Sequence, residues 1–209
     1  MTITIKSDFI NEEEIKKSRF ICHLKRISTE EEAREFIANV KKQHWKANHN
    51  CSAYTLGNHQ EIQRTSDDGE PSGTAGVPML EILKKREITN VCAVVTRYFG
   101  GIKLGAGGLI RAYAGSVNHA LDGVGLVQFI EQQAIILSLD YNLFDNLQRF
   151  LTAQNLLIAD SEFLTNITVK CFVDFDQIEY FLTELSDQFS GKIIAKKGEK
   201  KWIEADYKV

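Results

Sequence analysis

The sequence predicts an α+β chain of two domains, and three observations carry that expectation. Strand-like and helix-like stretches mix without the strict alternation that a doubly wound sheet requires. A glycine-flanked break at Asp122-Gly123-Val124-Gly125 divides the 209 residues, giving domains 1–124 and 126–209. After that break the periodicities run strand, helix, strand, strand, helix, strand, the ferredoxin-like βαββαβ order.

In the first domain the residues predict strands over 2–6 and 18–27, then a helix over 29–43. Ser28 or Thr29 caps that helix, Glu30, Glu31 and Glu32 sit at its positive pole, and Ala33, Phe36, Ile37 and Val40 form its apolar stripe. Strands over 50–57 and 61–65 follow, then a loop and a helix over 77–86. Lys84-Lys85-Arg86 at its end suits the negative pole of the helix dipole. A strand over 89–98, rich in β-branched residues, leads through a glycine loop into a helix over 107–121. Leu109, Tyr113 and Val117, with Ile110 beside them, make one face of that helix, and Arg111, Gly115 and Asn118 another.

The second domain reads as strand 126–140, helix 142–154, strands 156–163 and 166–173, helix 175–188 and strand 192–206. Val127, Phe129, Ile135, Leu137 and Leu139 show period-two spacing, interrupted around Glu131 to Ala134. Leu143, Leu147, Phe150 and Leu151 show helical spacing, as do Ile178, Phe181, Leu182 and Leu185. Leu164-Thr165-Asn166 suits a hairpin turn, and Asp174 or Asp176 a helix cap.

The segment Thr96 to Tyr113, TRYFGGIKLGAGGLIRAY, holds the densest chemistry. Gly100, Gly101, Gly105, Gly107 and Gly108 lie among Arg97, Lys103 and Arg111, with no acid. A strand, a glycine loop and a helix with cationic side chains can hold an anion: glycine allows close backbone approach, first-turn N–H groups are free, and the dipole favours negative charge. The loop fits neither phosphate template. Ile110 stands where GxGxxG needs its third glycine, and Gly107-Gly108 is followed by Leu109 rather than Lys and Ser or Thr. The blander reading is that the glycines make turns and close packing while the bases are solvated.

A second segment, Arg64 to Pro78, holds both prolines of the chain and the acids Asp67, Asp68 and Glu70. These acids could hold Mg²⁺, pair with Arg97, or form a solvated charge run. Arg97 ends a buried-looking strand, where an arginine needs a partner, and one of these three acids is the nearest candidate. His49-Asn50-Cys51 suggests a metal ligand or nucleophile–base pair, yet no third orienting group is in view. Tyr98 and Phe99 could stack on bases, with core packing as the alternative.

SDDGEPSGTAGVPML at 66–80 and VVTRYFGGIKLGAGGLIRAY at 94–113 resemble the Impact/YigZ family, and HNCSAYTLG at 49–57 and KKSRFICHL at 16–24 fit its earlier segments. The resemblance covers nearly the whole chain. It implies an amino-terminal Impact domain with the fold shared by a small-subunit ribosomal protein domain, elongation factor G domain four and the GHMP kinases. It further implies, in bacterial-type members, a carboxy-terminal ferredoxin-like domain similar to elongation factor G domain five. The family is linked to control of translation, and its eukaryotic members act by protein–protein contact in amino-acid starvation sensing.

Composition bounds these readings. Hydrophobic content of 44% with 25% charged residues is ordinary for a globular protein, no apolar run reaches a membrane span, and MTITIKSDF is no signal peptide, so a cytoplasmic location is expected. Cys22, Cys51, Cys92 and Cys171 are widely spaced without CxxC, which suits buried free thiols. Net charge is −3, but residues 1–126 hold 17 Lys/Arg against 15 Asp/Glu, and residues 127–209 hold 8 against 13. A nucleic-acid surface must therefore be local, with Arg97 to Arg111 the best stretch for it. Two functions compete. One is a translation-associated regulatory or binding protein with an anion- or RNA-binding glycine-rich basic loop, contacting RNA, the ribosome or a translation factor, with no cofactor and no membrane. The other is a small-molecule phosphate-dependent enzyme using Mg²⁺ and the 67–70 acids.

Overall fold

Along the strand Val91–Tyr98, Val91, Ala93 and Val95 turn to one face and Cys92 and Val94 to the other, and all five are buried. A strand buried on both faces is the centre of a layered structure, with helices covering each side. The computed structural model describes residues 2–207 and divides them into two units, 2–128 with 205–207, and 129–204.

The first unit is built on an antiparallel sheet. Its strands are β2 (Phe9–Ile15), β3 (Ser18–Arg26), β4 (His49–Leu56), β5 (Ile62–Ser66) and β6 (Val91–Tyr98), in the order β2-β3-β6-β4-β5. A short strand β1 (Ile3–Ile5) pairs with Leu126–Gln128, the start of β7 (Leu126–Leu139). Helix α1 (Glu30–Gln43) covers one sheet face through Ala33 and Val40, against Tyr54, Leu56, Cys92 and Val94. Helices α2 (Gly76–Lys85) and α3 (Ala106–Val124) cover the other, where Met79, Leu83, Tyr113 and Val117 meet Phe20, Cys22, Leu24, Ala53, Ala93 and Val95. Thr29 caps α1 by accepting from the Glu32 N–H, while Glu32 Oε2 reaches back to accept from the N–H of Ser28, the residue before the cap.

Strand β2 is the element that the composition conceals. FINEEEI carries three successive glutamates, which depress strand propensity. Tertiary context overrides this, because Phe9, Asn11, Glu13 and Ile15 alternate inward and Glu13 accepts from Ser116 and His119 on α3. The charged residues also guard an edge strand against further pairing. Ile110, placed beside the apolar face of α3 by spacing, is exposed.

The second unit has the order β10-β7-β9-β8, with β8 (Ile158–Phe163), β9 (Ile167–Asp174) and β10 (Ile194–Tyr207). Helices α4 (Phe144–Ala153) and α5 (Ile178–Phe189) connect its strands as βαββαβ. Its core joins Ile135, Leu137, Leu147, Leu151, Val169, Cys171, Phe181 and Leu185. The contact boundary falls after residue 128, beyond the glycines at 123 and 125, because Leu126–Gln128 pair with β1. All four cysteines are buried free thiols. No helix among the described residues is long and apolar enough to cross a membrane.

His23 on β3 gives the fold a pH dependence. It is 4% exposed, its ring lies 5.0 Å from that of His44, and its Nε2 has no partner among the described residues. Burial, reinforced by His44, pushes its pKa down from 6.5 to about 4. The unfolded chain therefore binds more protons than the folded one in this window. Stability is whole above pH 6.5 and is lost as pH falls toward 4, by at most about 1.4 kcal/mol per pH unit. Urea denaturation between about pH 6.5 and 5 should show a steeper loss for the native protein than for His23→Leu; equal slopes would contradict this.

Candidate functional site

The alternation that buries Val91, Ala93 and Val95 also turns Arg97 toward α3. Its side chain is 7% exposed, so its charge needs a partner. Glu70, 3% exposed, supplies it: Arg97 Nη1 donates to Glu70 Oε1 at 2.7 Å. The Tyr113 hydroxyl donates to the same oxygen at 2.7 Å. Burial, with Cys51 and Glu70 close by, pushes the Tyr113 phenol far above its ordinary pKa, so it stays a donor. The guanidinium also lies 5.5 Å from the ring centres of both Phe20 and Phe99.

The three acids of the 64–78 loop have separate tasks. Asp67 reaches the start of α2, where Ala75 offers no capping side chain. Its carboxylate accepts from the N–H groups of Gly73 (2.8 Å), Ala75 (3.1 Å) and Gly76 (2.8 Å). Burial works against its charge, but these bonds prevail and hold its pKa below the ordinary value. Asp68, at φ 44°, accepts from the Asn50 N–H at 2.7 Å and from Lys41 at 2.6 Å. Among the described residues, no group of three or more His, Cys, Asp or Glu side chains is placed to hold a metal ion.

The glycine loop divides by role. Gly100 packs on the β2–β3 turn, where any Cβ would overlap the Lys17 carbonyl. Gly101 turns the chain at φ 86°. Gly105 is the N-cap of α3 at φ 72°, ψ 165°, a region essentially reserved for glycine. It carries no capping side chain, and the first turn holds no acid. The N–H groups of Ala106, Gly107 and Gly108 thus open α3 without intrahelical acceptors. Arg111 folds back over that turn, its Nη1 lying 3.6 Å from the position of a Cβ on Gly107. Lys103 and Arg111 are exposed, and neither has an ion-pair partner among the described residues.

These pieces frame a cavity of about 400 Å³ lined by Asn48, His49, Glu70, Pro71, Arg97, Phe99, Lys103, Leu104, Gly105, Ala106 and Leu109. Of the candidate site residues singled out by sequence, His49, Glu70, Arg97, Phe99, Lys103 and Gly105 line it. Gly107, Gly108 and Arg111 belong to the helix turn above it, while Gly100, Gly101, Asp67 and Asp68 build its surroundings. His49, for which the sequence offers no third orienting group, sits directly opposite Arg97 in the β4–β6 register. Its Nδ1 lies 2.9 Å from the Asp68 carbonyl, which can only accept, so Nδ1 carries a proton. Its Nε2 lies 3.9 Å from Glu70 Oε2. Tyr113 was legible as core but not as a Glu70 donor, although a buried tyrosine hydroxyl must find a partner.

The Impact N-terminal domain matches residues 16–121, which include every residue of this cavity, and a domain of unknown function (DUF1949) matches residues 137–192. The IMPACT family member YvyE of Bacillus subtilis (strain 168) is 48% identical over 201 residues, covering 96% of this chain and 93% of that protein. The IMPACT family member YigZ of Escherichia coli (strain K12) is 35% identical over 183 residues, covering 87% and 90%. A crystal structure described as a hypothetical protein aligns with a TM-score of 0.58 at 33% identity, covering 95% of this chain and 97% of that one. The chain belongs to the Impact family.

Breaking the buried pair should be costly. Glu70→Gln is expected to lower stability by about 3–5 kcal/mol, since it leaves the Arg97 charge uncompensated. Gly100→Ala should cost about 1–3 kcal/mol, because the β2–β3 turn must shift to admit a methyl group. Urea midpoints of the two purified variants check both, and a native midpoint in either refutes the corresponding contact.

Proposed function

We propose that this Impact-family chain is a non-catalytic, translation-associated binding protein that grips phosphate groups of RNA at the start of α3. The observation that carries the reading is the pair of exposed cations, Lys103 and Arg111, beside an uncapped helix N-terminus. Arg97 adds little net field there, because Glu70 neutralises it at 2.7 Å. Context comes from the family resemblance, which implies control of translation. The partners are RNA, the ribosome or a translation factor, in the cytoplasm.

The enzyme alternative would use Mg²⁺ held by the 67–70 acids. The geometry favours binding instead, because the Asp67, Asp68 and Glu70 carboxylates are all engaged by the fold. A patch of two cations on a protein of net charge −3 gives local attachment rather than indiscriminate coating of nucleic acid.

Binding of single-stranded RNA should weaken with salt at a log–log slope of about −1.4, the value for two phosphate contacts on a single strand. Replacing both Lys103 and Arg111 with Ala should remove that binding and co-sedimentation with ribosomes, while the unfolding free energy from urea titration stays within about 0.5 kcal/mol of native. Unchanged affinity in the folded double variant would refute the site. Multiple turnover of a phosphoester, abolished by Asp68→Asn in a folded protein, would favour the enzyme alternative.

A further inference from the structure

We propose that the cavity takes a phosphomonoester attached to a flat heterocycle, that is, a nucleoside 5′-monophosphate, either free or at the end of an RNA chain. This deepens the anion-site reading and rests on it.

Charge selects the monoester. Lys103 and Arg111 are uncompensated, whereas the Arg97 charge is cancelled by Glu70. Two free cations and a helix N-terminus match a phosphomonoester, which carries about −1.5 to −2 at pH 7, better than the single charge of a diester.

A second observation is independent of the helix terminus. Arg97 forms part of the cavity wall with its side chain 7% exposed, and its Nε–H has no acceptor among the described residues. A buried donor without a partner is costly as it stands, and an acceptor reaching it through the cavity wall would offset that cost.

The remaining lining suits a heterocycle. Phe99, 44% exposed, lies on the wall of the cavity, and Pro71, Leu104 and Leu109 continue an apolar surface. Such a surface beside an anion cradle suits a ligand with a flat apolar body and one charged end. Asn48 Oδ1 is occupied by the Phe99 N–H at 2.8 Å, which leaves its NH₂ group to donate. Next to it, His49 spends Nδ1 on the Asp68 carbonyl, which leaves Nε2 for a hydroxyl or a base edge. The volume, about 400 Å³, lies in the range of small-molecule pockets.

Calorimetric titration of the full chain with inorganic phosphate, adenosine and AMP tests this. AMP should bind at least about tenfold tighter than either fragment, since charge and stacking then act together. Phe99→Ala should weaken AMP and leave phosphate unchanged, whereas Lys103→Ala should weaken both; cooperative urea unfolding confirms that the variants are folded. Single-stranded RNA of about ten nucleotides, with a 5′-phosphate or a 5′-hydroxyl, separates the sources. A preference for the phosphorylated end assigns the chain terminus, and equal binding alongside tight AMP assigns the free nucleotide. AMP no tighter than phosphate, or Phe99→Ala weakening both alike, overturns the proposal. If RNA binding then still depends on Lys103 and Arg111, the anion site survives without its nucleotide; if no anion binds, both fall.

Discussion

Oε1 of Glu70 accepts from the Arg97 guanidinium and the Tyr113 hydroxyl at once, each at 2.7 Å, and it joins three parts of the first unit. Arg97 belongs to the central strand β6, Tyr113 to α3, and Glu70 to the loop ahead of α2. A buried charge pair adds little net stability over an apolar substitute, but losing one partner strands the other in low dielectric. Its consequence here is positional. The loop is held against the strand and helix that wall the cavity, and the most central base is removed from the electrostatic balance. What remains available to an anion is the pair outside the sheet, Lys103 and Arg111, with the open N–H groups of α3.

The neighbouring acids stabilise that arrangement from two sides. Asp67 supplies, from eight residues upstream, the cap that Ala75 cannot give α2. Asp68 ties the loop to β4 through the Asn50 N–H and to α1 through Lys41. The glycine loop is fixed in turn by contact rather than by charge, since Gly100 leaves no space between its own backbone and the β2–β3 turn. The cavity is thus framed by a strand, a helix terminus and two loops, each fastened by bonds that do not involve a ligand. Such a site needs little rearrangement to bind, which lowers the cost of association.

Much of this was legible in the residues. Period-two and period-3.6 spacing located the strands and helices, because apolar burial on one or both faces imposes those periods. Strand β2 escaped, since its inward glutamate is satisfied by Ser116 and His119, residues more than a hundred positions away. For the site, glycines among bases without an acid marked the α3 entrance, and the place of Arg97 at the end of an apolar run showed that it needs a partner. That the partner is Glu70 follows from the loop conformation, with Asp68 at φ 44° and Gly69 at φ 88°, which aims three nearby carboxylates in different directions. Local spacing does not encode that. Nor does it reveal that His49 belongs with Arg97, a placement that follows from β4 and β6 being neighbours in register.

The most direct measurement is a crystal structure of the protein soaked in tungstate, a heavy oxyanion standing in for phosphate. The account predicts one anion at the start of α3, bonded to the N–H groups of residues 106–108 and to Lys103 or Arg111, with Arg97 still on Glu70. An anion seated on Arg97 with Glu70 displaced, or none at the α3 terminus, would contradict it.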